Sequence, residues 1–341
     1  MRRKPLTVGV LIAIVVVAGQ ALLIPLFAAP AANLAPRDLP LAVAGPPPVA
    51  AQLEAQLEAQ HPGAFEITQV SDPVAADTKI KDREVYGAIL VTPSGPEVHV
   101  ASAAGPAVAQ LLTQAAEGLG STAPPTDRPG LGSGTAPVRD VVPVDPDDPR
   151  GAGFGAGFLP LAITSLLAGV LVYFFVPRRG ARLAALTTFA ALAGLAGAAV
   201  QVEWLGILPD HYLAVAGSLA LFALAVSAAM TGLAALLGRE GLALGAAVMF
   251  LVGNALSGIA AAPELLPQPW GAVGQWLPIG AGGTLLRSAA YFDGHGGGFA
   301  ATVLTAYAIG GLALVLIGRS RIARRTGRAP AEAAPELVGA H

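Results

Sequence analysis

GAGFLPLAITSLLAGVLVYFFVPRRGAR (residues 155–182) is uncharged from Gly155 to Pro177 and then carries Arg178, Arg179 and Arg182. About 20 apolar residues suffice for a helix to cross the hydrocarbon core of a bilayer. Arginines crowded against one end of such a run mark the cytoplasmic side, where lysine and arginine accumulate. This stretch therefore predicts both a membrane span and its direction.

Five more runs have the same character: residues 6–29, 183–203, 212–237, 241–262 and 299–318. Glu203, at the end of its run, is the only acidic residue in any of the six. Only 12% of the 341 residues are charged, against about 25% in soluble domains. With a mean hydropathy of +0.63, the composition argues for an integral membrane protein and against a soluble enzyme. The net charge of −2 offers no basic surplus for nucleic acid. Cysteine is absent, which removes disulfides, thiolate metal sites and a cysteine nucleophile.

Orientation follows from the short loops and tails. Arg2, Arg3, Lys4, Arg178, Arg179, Arg182, Arg239, Arg319, Arg321, Arg324, Arg325 and Arg328 fall on one side, and Arg287 alone on the other. Both termini are then cytoplasmic, and residues 30–152, with 15 of the 22 acidic residues, lie outside. The first run exceeds the length of a signal-peptide core and reads as an uncleaved anchor, with a cleaved signal peptide as the alternative that the basic MRRK start allows.

The outer insert reads as a small α/β domain. LPLAVAG (39–45), FEITQV (65–70), VYGAILV (85–91), EVHVAS (97–102) and VRDVVPV (138–144) have strand character. Val49, Leu53 and Leu57 stripe one helix, a polar helix covers 73–84, and Ala107, Leu111, Leu112 and Ala115 mark another. Residues 120–137 are mostly Gly, Ser, Pro and Thr with little apolar content, a linker composition. The domains are thus an anchor (1–29), the outer domain (30–119), a linker and membrane-proximal segment (120–152), a five-helix membrane block (153–318) and a cytoplasmic tail (319–341).

No P-loop is present, since none of Lys4, Lys79 and Lys81 follows a glycine, so the chain has no recognisable ATPase site. GAGFGAGF (151–158) misses the GxGxxG spacing and follows no strand. The five histidines are scattered, and no cofactor is implied. Asp140, Asp145, Asp147 and Asp148 form an acidic patch that reads as a solvated stalk, with a weak calcium site as the sharper alternative. Asn254 is the strongest polar group at membrane depth, as interhelical glue or part of a substrate path. Gly241 with Gly245, and Ala190, Gly194 and Ala198, have the spacing of close helix contacts.

Residues 263–292 are too apolar for an ordinary outer loop and too broken by Pro263, Pro267, Pro269 and Pro278 to cross a membrane. They predict a re-entrant or interfacial pair of short helices, 269–276 and 281–292. Trp270 and Trp276 suit the lipid headgroup level. Arg287 reads as a snorkelling cation, or as a partner of Glu264, Asp293 or a lipid phosphate.

REVYGAILV (83–91), ASAAGPAVAQLL (101–112) and NALSGIAAAPELLPQPWGAVGQWLPIGAGGTLLRS (254–288), set in this topology, resemble the permease subunit of type-2 ABC exporters, in the branch grouped with YhgE/Pip-like membrane proteins. The resemblance implies a homodimer or paired permease, powered by a separate P-loop ATPase and extruding an amphipathic or lipid-linked substrate. It places the outer hairpin, with Trp270, Trp276 and Arg287, near the substrate exit as an outer gate; Asn254, at membrane depth before it, is the candidate for the path itself. The ATPase would meet Arg178, Arg179, Arg182, Arg239 and Glu240 on the cytoplasmic loops. A non-transporting envelope protein whose outer domain binds a partner is the other reading the branch allows.

Overall fold

The computed structural model describes residues 5–93, 95–121 and 136–318. Most of the linker expected at 120–137, the tail 319–341, and Arg2, Arg3 and Lys4 lie outside the described residues.

The chain starts with α1 (Pro5–Ala32) and then builds a mixed sheet flanked by helices. The order is β1 (Leu39–Ala44), α2 (Pro47–Gln60), β2 (Phe65–Val70), α3 (Pro73–Lys81), β3 (Gly87–Thr92), β4 (Gly95–Val100), α4 (Pro106–Ser121) and β5 (Val138–Asp140). In space the strands run β2-β1-β3-β4-β5. β1 is parallel to both neighbours, with Leu41 opposite Gly87, while β3 and β4 form an antiparallel hairpin. β5 stops at Asp140, short of the run to Val144 that the sequence predicts. Pro143 has no N–H to give a ladder, and the Val144 amide instead donates to Ser102 Oγ.

β1 is buried on both faces, as a central strand between parallel neighbours should be. Leu39 and Leu41 pack with Val98, Val100 and Leu112, whereas Ala42 and Ala44 pack with Ile80, Ala88 and Leu90. A fully buried leucine contributes about 1.5–3 kcal/mol. Both clusters also take residues from far along the chain. Ala261, Ala262 and Leu265 close the first, and Phe292 closes the second. These contacts seat the sheet on one end of the helical bundle.

The bundle contains α5 (Ala152–Phe175), α6 (Arg179–Ala198, continued by a π-helical turn to Trp204), α7 (Tyr212–Leu237), α8 (Arg239–Gly245, continued through a π-helical turn, Ala246–Val252, into α9, Gly253–Ala255), α10 (Trp270–Gln275), α11 (Pro278–Tyr291) and α12 (Gly298–Ile317). Five helices are long and apolar enough to cross a membrane: those spanning Val8–Ala32, Ala152–Phe175, Arg179–Trp204, Tyr212–Leu237 and Gly298–Ile317. The run expected at 241–262 is helical only to Ala255. Gly258 takes a left-handed φ of 67°, a helix-ending conformation, and Pro263 follows.

α7 sits at the centre and is apolar all round, as an enclosed helix must be. Between apolar helices in an apolar solvent, association rests on close backbone approach rather than on burial from water. Gly194 of α6 shows this: a Cβ there would stand 2.3 Å from the carbonyl oxygen of Ala216 on α7. Ala190 and Ala198 of the same row are also buried.

α5 is capped by a charge at each end. Asp148 Oδ1 accepts from the Ala152 amide, and Oδ2 from those of Gly153 and Phe154, so three orphan N–H groups are satisfied by one carboxylate. At the other end Arg182, 1% exposed, donates to the carbonyls of Val176 (2.7 Å) and Tyr173 (3.2 Å). Three of the four acids in the patch serve as backbone acceptors, Asp148 among them. Asp140 accepts from the Ser102 amide and Asp145 from that of Asp147, and no group of three potential ligands converges among the described residues.

Candidate functional site

Where the helix stops at Ala255, its irregular, largely buried continuation still needs partners for its backbone polar groups. Side chains provide them. Arg287 of α11, 6% exposed, donates from Nη2 to the Ile259 carbonyl at 3.1 Å, with its guanidinium 4.5 Å above the Phe154 ring. Gln275 of α10 donates to the Ser257 carbonyl at 3.0 Å, and Thr284 of α11 donates to Gln275 Oε1 at 2.7 Å. Arg37, just past α1, donates to the Leu265 carbonyl at 2.9 Å, and the amides of Ala35 and Arg37 bond the carbonyls of Leu265 and Glu264. The exit of α1, the broken segment and α11 are thus stitched together at the sheet-bearing end.

A cavity of about 300 Å³ opens at this junction. Its polar lining comes from Arg83, Glu84 and Tyr86 on the connection from α3 to β3, Glu264 and Gln268 on the broken segment, and Gln275 and Thr284 on the short helices. Phe299 and Ala300, at the start of α12, form an apolar lip. Trp276 stacks edge-on against Phe299, with centroids 4.9 Å apart, and both rings are exposed along with Trp270 and Val273.

Arg83 is set deliberately. Its φ of 59° is left-handed, which costs a non-glycine residue of order 1–3 kcal/mol and persists only where the surroundings impose it. Gly296 leaves the room: a Cβ there would stand 3.0 Å from Arg83 Cδ. Arg83 Nη1 donates to the Thr284 carbonyl at 2.9 Å and to Ser288 Oγ, and the guanidinium lies 5.6 Å over Phe292. Burial pulls its pKa below the ordinary arginine value, and Tyr86 and Glu264 pull the other way. The Tyr86 hydroxyl donates to Glu264 Oε2 at 2.7 Å. Burial first, and Glu264 second, push the phenol well above its usual range, so it stays a proton donor.

The residues singled out in the sequence fall in different places. Arg287 is neither a snorkelling cation nor a partner of Glu264 or Asp293: Glu264 holds Tyr86, and Asp293 faces His211 at 3.6 Å. Arg287 supports the cavity from behind without lining it. Trp276 borders the lip through Phe299, and Trp270 is exposed on α10. Asn254 is half-buried on α9, outside the cavity, and its amide makes no hydrogen bond to another helix among the described residues. At the opposite end, Arg182 is consumed by capping α5, and Arg179 donates to the Gly318 carbonyl at 2.8 Å. Arg178, Arg239 and Glu240 are exposed. Arg83, Tyr86, Gln268, Gln275 and Thr284 line the cavity without being singled out in the sequence, because no local pattern separates them from ordinary surface residues.

Compared with protein-family models, with curated proteins and with solved structures, the chain matches none.

Proposed function

We propose that the chain is the permease subunit of an ABC-type exporter that moves an amphipathic or lipid-linked substrate outward. The observation that carries this reading is a polar cavity with an aromatic lip at the sheet-bearing end of an apolar bundle, the arrangement an amphipathic molecule requires. In this reading the α8–α9 run makes a sixth crossing, and α10 and α11 dip into the outer leaflet. The sheet is extracytoplasmic, the termini are cytoplasmic, and the protein resides in the plasma membrane. The turns bearing Arg178 and Arg239 then face the cytoplasm, in keeping with the charge bias.

α7 is packed by α5, α6, α8, α11 and α12, so the substrate route runs outside it, along a face shared by two copies. Energy comes from a separate P-loop ATPase docked on the arginine-bearing turns. Arg178 and Arg239 are the contacts to test, since Arg182 is buried and Arg179 caps α12. Arg178→Glu together with Arg239→Glu should cut co-purification of the ATPase at least several-fold while the protein still inserts into membranes. If no P-loop ATPase co-purifies with the unaltered chain, the non-transporting envelope reading takes its place.

A further inference from the structure

The charges of the cavity suit neither a plain anion nor a plain cation. Arg83 commits Nη1 to the Thr284 carbonyl and Ser288, and its Nε and Nη2 donate to no group among the described residues. No carboxylate lies within ion-pair distance of it among the described residues. A half-buried guanidinium with no carboxylate in contact has donors to spare, and an anionic ligand would engage them with charge-assisted hydrogen bonds. On the facing wall Glu264 uses Oε2 for Tyr86 and leaves Oε1 without a partner among the described residues. The other lining carboxylate, Glu84, is already bridged to Lys79. One positive and one negative group therefore face the same small space, with Tyr86 between them in the chain and in hydrogen-bond contact with the acid.

Size narrows the ligand further. About 300 Å³ lies at the low end of small-molecule sites, enough for a polar head and too little for acyl chains. The exposed Trp276 and Phe299 rings at the lip offer those chains an apolar bed.

We infer that the cavity holds the zwitterionic head of an amphipathic molecule, a phosphate against Arg83 and a primary ammonium against Glu264, with the tails lying over Trp276 and Phe299. The inference rests on the proposed placement of this end at the membrane surface, but not on transport or on an ATPase. It names the headgroup class of the substrate proposed above.

The test is lipid retention by the purified full-length protein, read by native mass spectrometry from micelles holding equal phosphatidylethanolamine and phosphatidylglycerol. The unaltered protein should retain phosphatidylethanolamine about tenfold over phosphatidylglycerol, the effect of one charge-assisted contact. Glu264→Gln keeps an acceptor for Tyr86, so the fold holds, and it should abolish the preference. Arg83→Gln should weaken retention of both lipids. Addition of glycerophosphoethanolamine separates the two sources of this chemistry. Displacement of the lipid means the free head suffices, and no displacement means a membrane lipid is the ligand. Equal retention of the two lipids, or a preference that survives Glu264→Gln, overturns the proposal. A preference that persists when no ATPase co-purifies removes the exporter reading and leaves the headgroup site standing.

Discussion

Gly274→Val is expected to lower the stability of the purified protein by about 3 kcal/mol or more, the upper range for overpacking against groups that cannot yield. A Cβ at this position would stand 1.7 Å from the Leu256 carbonyl oxygen and 2.6 Å from its carbon. Both neighbours are backbone, so no rotamer change makes room. α10 would have to leave the broken segment, taking Gln275 away from the Ser257 carbonyl and opening the cavity. Thermal unfolding in detergent reads the loss. Ala272→Val, exposed on the same short helix, should stay within about 0.5 kcal/mol and serves as the control.

Arg182→Ala carries the second large effect, about 2–4 kcal/mol. The substitution strips the carbonyls of Val176 and Tyr173 of a charged donor and removes a guanidinium 5.5 Å above the Tyr173 ring. Arg178→Ala, exposed four residues earlier, should change stability by less than about 0.5 kcal/mol. Equal effects of the two in the same unfolding measurement would mean that Arg182 does not cap α5.

The difference between these two arginines explains how far the sequence could be read. Runs of apolar residues without charge are visible in one dimension, so the five long apolar helices were legible at nearly their full extent. β1 to β4 were legible for the same reason, because alternation and flanking Gly and Pro are local signals. The end of α9 was not, since the apolar run continues to Ala262 and only the left-handed Gly258 interrupts it. Arg182 and Arg178 look alike in a positive-inside tally, although one is buried and the other exposed. Only the fold of α6 against α5 separates them.

The candidate site was less legible than the fold. Its helical wall lies within 263–292, which composition alone marks as unusual, but the opposite wall comes from Arg83 and Tyr86, about 180 residues earlier in the chain. Glu264 could be paired with Arg287 on sequence distance, whereas the sheet docks Tyr86 onto it instead. Long-range pairings of this kind depend on how Ala261, Ala262, Leu265 and Phe292 seat the sheet, and no local pattern encodes that.

In the proposed function the cavity faces outward from the membrane while the arginine-bearing turns face inward. The chain has no cysteine of its own, so a single introduced thiol reports without background. Ala272 is exposed at the cavity and Gly180 is exposed at the other end of the bundle. In intact cells, Ala272→Cys should react with a membrane-impermeant thiol reagent, and Gly180→Cys should react only after the membrane is permeabilised. Labelling of Gly180→Cys with Ala272→Cys protected, or equal labelling of both before permeabilisation, would contradict the account.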